Sequence, residues 1–145
     1  MRTGPERELV ETYIERAKPL ARQLGLKDIS VTELDVRTGG QQAESEAVLA
    51  STPAGAQLWA LDERGKLLKT DDMAKTLRDL HEQGVPDLCL AIGGADGHTR
   101  AVRERADRLL AFGPQVWPHK LVRVMAAEQL YRCLSILTGH PYHRV

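Results

Sequence analysis

Apolar side chains recur along this chain with two different periods, and the changes between them divide it into alternating helices and strands. Spacings of three and four residues predict helices over 5–24, 41–50, 70–83, 99–107 and 118–138. Short apolar runs at 56–61, 87–92 and 109–112 predict buried strands, and residues 29–36 alternate like a half-buried one. Strands that alternate with helices predict an α/β fold, with a mostly parallel sheet and helices on both faces.

Prolines and glycines supply the boundaries of these elements. Pro5 lies near the start of the first helix, and Pro19 is expected to bend or split that helix. Residues 62–69, which contain Gly65, read as a polar loop. Pro118 suits the first turn of the last helix, and Gly139 is its expected stop.

The last helix carries charge on two opposite sides. Glu128 and Arg132 are four residues apart and can pair on one face. Arg123 lies nine residues before Arg132, about half a turn away in phase at ~100° per residue. Polar groups on both sides favour a helix held between its own domain and a second copy of the chain. The alternative is an ordinary surface helix with scattered charge.

Composition narrows the class of protein. At 145 residues, with 42% apolar and 28% charged residues, the chain is expected to form one soluble globular domain over 1–145. Its 20 basic and 20 acidic residues cancel, although nucleic-acid binding usually requires a basic surplus. From Pro118 onward, however, four basic residues face one acidic residue, and three of the five histidines lie there. This modest local excess predicts weak affinity for naked RNA.

The two cysteines do not have the spacing of a disulfide or metal motif. Cys89 and Cys133 lie inside apolar runs, so both are expected to be buried, reduced thiols. The sequence has no apolar run of 18 residues and no secretory hydrophobic region, which predicts a cytoplasmic protein without membrane contact.

Three strand ends mark a candidate ligand site. In open parallel sheets, ligands bind beyond the carboxyl ends of the strands. Those ends are expected at Leu61, at Gly93 and at Phe112, and the two latter positions are followed by further glycines. No GK[ST] sequence is present and GGADG does not complete GxGxxG, so a phosphate loop and a dinucleotide fingerprint are both excluded. A plain strand-to-helix turn is the alternative for Gly93.

Several stretches together resemble one known family. They are PHKLVRVMAAEQLYR from Pro118, HPYHR from His140, LDERGK from Leu61, IGGADG from Ile92 and FGPQVWPH from Phe112. In this order they are similar to the RlmH family, the bacterial 23S rRNA pseudouridine N3-methyltransferases of the SPOUT class. The resemblance covers essentially the whole chain, and its last segment is the most specific part.

The resemblance also implies features of the fold and a cofactor that the spacing of apolar residues alone does not predict. It implies a C-terminal trefoil knot, a homodimer, and S-adenosylmethionine as methyl donor. Members of the family begin with a strand ahead of the first helix, and Met1 falls where that strand should have ended. Either this chain does without the strand, or the start codon has been assigned too late. Backbone groups are expected to hold the donor at Leu61, Gly93, Phe112, Gly113, Pro114, Gln115, Val116 and Trp117.

The implied reaction is methyl transfer to N3 of a pseudouridine in 23S rRNA, and the balanced charge favours the assembled ribosome as substrate. Histidine suits proton acceptance, arginine suits phosphate or base-edge contacts, and tyrosine suits stacking on a splayed base. The candidates are Arg132, His140, Tyr142, His143 and Arg144. Surface packing or a salt bridge is the alternative role for each of them.

No metal is expected, because the donor's sulfonium is already activated. His119, His140 and His143 give only a weak zinc pattern, without a nearby thiolate. Two other functions stay open at this point. One is a catalytically silent SPOUT-like module that binds RNA or ribosomes, and the other is a small nucleotide-binding regulatory domain.

Overall fold

The computed structural model describes residues 4–34, 40–93 and 97–143. The elements, in chain order, are α1 (Pro5–Gln23), α2 (Gly40–Ser51), β1 (Gln57–Leu67), α3 (Thr70–Glu82), β2 (Leu88–Ile92), α4 (Arg100–Arg105), β3 (Arg108–Ala111) and α5 (His119–Thr138). All five predicted helices and the three buried strands are therefore present, with ends shifted by one or a few residues.

The chain divides into two compact units. The first, here called the helical unit, comprises Met1–Val31, Lys69–Gly84 and Lys120–Val145. The second, here called the sheet unit, comprises Thr32–Leu68 and Val85–His119. None of the helices in the described parts of the chain has the length and apolar character needed to cross a membrane.

The sheet unit contains three parallel strands in the order β2-β1-β3. Leu58, Trp59 and Ala60 of the central strand are at most 1% exposed, as the apolar run at 56–61 predicted. Leu61 lies opposite Ile92 on one side and Leu110 on the other. Because the strands are parallel, their carboxyl ends meet at one edge, and the prediction of an α/β fold with a parallel sheet is confirmed.

The prediction of a polar loop over 62–69 is wrong, because β1 continues to Leu67. After an irregularity between Leu61 and Lys66, the strand pairs with β3 again, at Leu110 and Ala111. Gly65 lies so close to β3 that a Cβ there would be 2.5 Å from the Leu110 carbonyl carbon. The polar composition of this segment is typical of a loop, but its pairing with β3 makes it part of the strand.

The predicted strand over 29–36 is also absent from the part of it that is described. Residues 29–34 form no strand, and residues 35 and 36 lie outside the described ranges. Ile29 instead packs against the apolar cores between α1 and α5. Alternation of side chains is not sufficient for a strand, which also needs a neighbour to complete its hydrogen bonds.

The helical unit is built around the contact of α1 with α5. Ala17, Leu20 and Ala21 of α1 pack with Tyr131 and Leu134 of α5. A second cluster joins Val10 and Ile14 to Ala127. Pro5 occupies the first turn of α1 as predicted, and the helix continues through Pro19, so the prediction that this proline might split it is wrong.

The end of α5 determines where the C-terminal tail goes. Gly139 has φ +74°, and its N–H donates to the Ile136 carbonyl at 3.3 Å. The His140 N–H donates to the Ser135 carbonyl at 2.9 Å, which completes the glycine-based helix stop known as the Schellman motif. This turn directs residues 140–143 back along α5.

Both cysteines have free thiols, as predicted. Cys133 is fully buried in α5, and burial raises its pKa to about 12. Cys89 of β2 is only half-buried, and burial likewise raises its pKa. Both thiols are therefore protonated at neutral pH.

Candidate functional site

Three of the residues predicted to bind the donor meet at the carboxyl edge of the sheet unit. Leu61 is the partner of Ile92 in β2, which Gly93 follows, and Phe112 follows Ala111 at the end of β3. The carboxylate of Asp62, next in the chain to Leu61, is only 3% exposed. Leu61 lies where the pairing of β1 with β3 is interrupted and is not the end of β1, whereas Gly93 and Phe112 directly follow the ends of β2 and β3.

The segment 113–117 extends this edge with exposed backbone. Among the described residues, its N–H and C=O groups make no backbone hydrogen bond outside helices and strands. The Trp117 indole N–H donates to the Phe112 carbonyl at 3.2 Å and so closes the segment into a loop. Gly113, at φ +120°, makes the turn that most side chains would resist.

These features fit S-adenosylmethionine. Backbone groups not used within the protein can bind the polar edges of an adenine ring or an amino acid. Gly93 has no Cβ, and Val116 and Trp117 are 79% and 41% exposed, so apolar surface is available for a flat ring. The residues that would hold the donor are thus backbone groups of Leu61, Gly93 and the 112–117 segment, with Pro114 and Gln115 exposed on it.

The tail of the helical unit is packed on α5 through Tyr142. The Tyr142 ring lies 4.4 Å from the Tyr131 ring, between centroids, and its hydroxyl donates to Glu128 Oε1 at 3.1 Å. The His140 ring meets Tyr131 edge-on at 6.0 Å, and His140 Nδ1 accepts the Tyr142 N–H at 3.2 Å. The tail is therefore ordered by its own contacts.

Arg132 is the centre of this arrangement. Its Nε donates to Glu128 Oε1 at 2.7 Å, and its guanidinium carbon lies 4.8 Å from the Tyr142 ring centroid. Its Nη1 is 3.2 Å from His143 Nδ1, which must accept because a guanidinium can only donate. His143 Nε2 lies 3.6 Å from Asp71 Oδ1 on α3. The Glu128–Arg132 pair predicted from spacing is confirmed.

The pKa values of Tyr142 and Arg132 are both raised, and this has different consequences for the two side chains. Burial, followed by hydrogen bonds with Tyr13 and Glu128, raises the pKa of Tyr142 to about 12. The hydrogen bond that Arg132 donates to Glu128 raises the pKa of Arg132. Tyr142 is therefore a neutral phenol at pH 7 and a poor proton acceptor, and Arg132 is a permanent cation.

The structure thus brings the predicted residues together in two sets, one in each unit. Arg132, His140, Tyr142 and His143 form the tail set, and Arg144 lies outside the described residues. In the described ranges, no group of three histidine, cysteine, aspartate or glutamate side chains could hold a metal ion.

Two residues of the sites were missed from the sequence. Glu128 was identified only as a salt-bridge partner, although it also accepts the Tyr142 hydroxyl, a contact made through the turn at Gly139. His98 directly follows the IGGADG stretch and is 2% exposed. In the sequence, the only signal for His98 was its position next to Gly97, because the burial of a single polar residue cannot be read from the sequence.

Comparison with known proteins agrees with this description. Residues 1–143 match the family described as "Predicted SPOUT methyltransferase". Proteins named ribosomal RNA large subunit methyltransferase H from Dinoroseobacter shibae and Ruegeria pomeroyi are 47% and 48% identical to it, each over 100% of this chain and 94% of the relative. One from Maricaulis maris is 45% identical, over 99% of this chain and 93% of the relative.

The chain is therefore a SPOUT-class methyltransferase. Within that class it belongs to the ribosomal RNA large subunit methyltransferase H family, as the resemblance of its motifs implied.

Proposed function

We propose that this protein transfers the methyl group of S-adenosylmethionine to N3 of a pseudouridine in 23S rRNA, with the assembled ribosome as substrate. The observation that carries the proposal is the position of Leu61, at the interruption of β1 pairing, beside the ends of β2 and β3 at Gly93 and Phe112, in a chain of this family. The relatives' printed names supply the substrate class, ribosomal RNA of the large subunit.

The sheet unit and the tail have different tasks in this proposal. The bound donor supplies a methyl group already activated by its sulfonium. The backbone of 112–117 and the Gly93 end of β2 would align that group, and alignment is the main contribution an enzyme can make to such a transfer. The tail would hold the base, with Tyr142 offering a ring face and Arg132 a permanent cation for phosphate or a base edge.

The N3 proton of the base must leave when the new N–CH₃ bond forms. Tyr142 is unsuitable as acceptor because its pKa is about 12. His143 Nδ1 already accepts from Arg132. His140 is exposed, and its Nδ1 accepts the Tyr142 N–H, so the neutral ring carries its hydrogen on Nε2. We assign the N3 proton to His140 Nδ1, which would take it by giving up the Tyr142 N–H.

The balanced charge of the chain supports the assembled ribosome as substrate, and an exposed leucine on α5 supports a homodimer. The net charge of zero gives little general attraction to RNA, so contacts within the ribosome would have to supply binding. Leu121 on α5 is 43% exposed, as a helix covered by a second copy would be. We therefore propose a homodimer in the cytoplasm, with the trefoil knot of its class. Sedimentation equilibrium should give twice the 16.1 kDa chain mass, and a monomer would contradict the dimer.

One observation favours a second candidate, a catalytically silent module that binds ribosomes. Arg132 is already engaged by Glu128, Tyr142 and His143, so the tail could be a purely structural feature. Retained donor binding without transfer would identify this alternative.

Mass spectrometry of ribosomal RNA from a strain lacking the gene tests the proposal. We expect one pseudouridine of 23S rRNA to lose one methyl group, and a plasmid copy to restore it. The matched control is a copy carrying Glu104→Gln, a change in an exposed ion pair of α4. An unchanged methylation pattern in the deletion strain would reject the proposed reaction.

A further inference from the structure

His98 is a buried histidine beside the donor edge, outside the residues assigned above. It follows Gly97 directly and is 2% exposed. Its Nε2 lies 3.2 Å from the carbonyl oxygen of Ala91, within β2. Because a carbonyl can only accept, the ring must carry its proton on Nε2 and donate to that oxygen.

The backbone around His98 is held from two further elements. The His98 carbonyl accepts from Arg103 Nη1 of α4 at 2.6 Å and from Gln41 Nε2 of α2 at 3.3 Å. The Thr99 N–H donates to Ser45 Oγ, also of α2, at 3.2 Å. The ring bond to Ala91 is therefore the contact that joins this anchored backbone to the sheet.

The His98–Ala91 hydrogen bond lies close to Gly93, the glycine that follows β2. A Cβ built on Gly93 would lie 3.0 Å from the Gly97 carbonyl carbon, so the two glycines are in close contact. His98 is bonded to Ala91, two residues before Gly93, and is itself next to Gly97. The His98–Ala91 hydrogen bond therefore lies directly beside the contact between Gly97 and Gly93.

We propose that His98 is a positioning residue for the methyl donor, acting through its bond to Ala91 to hold Gly97 against Gly93. This inference rests on the proposed function, because it takes Gly93 as part of the donor site. A preorganised site loses less conformational freedom when its ligand binds, so losing the bond weakens donor affinity without altering the transfer step.

His98 is neutral in the folded protein at pH 7. Burial, the largest influence, lowers its pKa, and Arg103 on α4 lowers it further. The Ala91 carbonyl on β2, Asp62 on β1 and Glu44 on α2 act in the opposite direction. A protonated ring would still donate from Nε2 to Ala91, so acid is not expected to break this hydrogen bond.

Two variants and a control separate positioning from simple stability. His98→Leu removes the donor group, whereas His98→Gln can present an N–H where Nε2 lies. His81→Leu, at an exposed position of α3, is the control. We expect His98→Leu to raise the Kd and KM for S-adenosylmethionine about tenfold, with kcat within about twofold, as for a purely binding interaction.

Three further results complete the test. His98→Gln should recover most of the affinity, and the control should match the wild type. Amide hydrogen exchange at Gly93 and Gly97 should be faster in His98→Leu without any donor present.

The outcomes distinguish this inference from the proposed function. If the wild type does not bind S-adenosylmethionine, the proposed function and this inference are both overturned. If the wild type binds but folded His98→Leu shows no change in donor affinity and in amide exchange, only the role of His98 is overturned. Equal losses in both variants, without rescue by Gln, would also reject it.

Discussion

The Tyr142 hydroxyl donates to Glu128 Oε1 at 3.1 Å, across the turn that reverses the chain after α5. The same oxygen accepts from Arg132 Nε at 2.7 Å. One carboxylate therefore holds both the ring and the cation that we assign to the base. Its side chain is only 17% exposed, so water competes weakly for it.

Glu128→Gln should release both groups. Because this ion pair is largely shielded and the tyrosine bond is charge-assisted, we expect unfolding free energy to fall by about 1–2 kcal/mol. Methyl transfer should fall about tenfold, or ~1.4 kcal/mol in the barrier. Thermal unfolding and a ribosome methylation assay measure the two effects.

A matched ion pair provides the control for that variant. Arg100 and Glu104 have the same four-residue spacing on α4, but their side chains are 84% and 65% exposed. Glu104→Gln should change neither stability nor transfer measurably. Similar losses in both glutamine variants would mean that the shared carboxylate has no special role.

The phenol of Tyr142 should titrate abnormally. The chain has three tyrosines, so the ultraviolet titration of the wild type minus that of Tyr142→Phe isolates one phenol. We expect its midpoint near 12 instead of 10, because burial and hydrogen bonds with Tyr13 and Glu128 oppose ionisation. A midpoint at 10 would show that the tail is undocked in solution.

The same shift links Tyr142 to alkaline stability. A raised pKa means that the folded state holds its proton more tightly than the unfolded state. The stabilisation is therefore complete below pH 10 and is lost as pH rises through about 12. Denaturant midpoints of the wild type should fall over that interval relative to Tyr142→Phe. Parallel curves would contradict the assignment.

His98 predicts the opposite behaviour in acid. Its pKa is lowered from 6.5 by burial, so the unfolded chain binds a proton that the folded chain resists. The stabilisation is present above pH 6.5 and is lost as pH falls from 6.5 toward the lower folded value. His98→Gln should flatten this part of the stability curve, whereas the His81→Leu control should retain it.

Tryptophan fluorescence should report donor binding. The chain has two tryptophans, of which Trp59 is 1% exposed and Trp117 is 41% exposed. Only Trp117 can lose contact with water when a ligand covers the 112–117 segment. We expect a blue shift on addition of S-adenosylmethionine that is absent in Trp117→Phe and retained in Trp59→Phe. A shift that persists in Trp117→Phe would place the donor elsewhere.

The sequence predicted the helices and the buried strands because their signals are local. Helical spacing and an apolar run such as 56–61 depend on neighbouring residues alone. The wrong predictions of a loop over 62–69 and a strand over 29–36 came from tertiary contacts. Residues 62–67 look polar but pair with β3, and Ile29 belongs to a core formed by two helices far apart in the chain.

The candidate site likewise contains some residues that the sequence predicted and others whose roles depend on tertiary contacts. Gly93 and Phe112 follow the ends of parallel strands, so the rule that ligands bind beyond such ends identified them. Leu61 was expected to be a third strand end, but β1 continues beyond it to Leu67. The shared role of Glu128 depends on the turn at Gly139 and on where Tyr142 then lies. The role of His98 depends on burial against β2, which no spacing in the sequence indicates.

The central claim is that the sheet edge holds the donor and the tail directs its methyl group to the base. A protein ending after Gly139 tests it well, because His140, Tyr142, His143 and Arg144 are removed while α5 and the 112–117 segment stay in the chain. Circular dichroism should show that this shortened protein folds like the full chain.

The decisive measurement is transfer of labelled methyl groups to ribosomes from the deletion strain, made alongside a donor titration on the same samples. We expect the shortened protein to bind S-adenosylmethionine within about twofold of the full chain, yet to transfer methyl groups at least about a hundredfold more slowly, or ~2.7 kcal/mol in the barrier. Transfer within about threefold of the full chain would contradict the account.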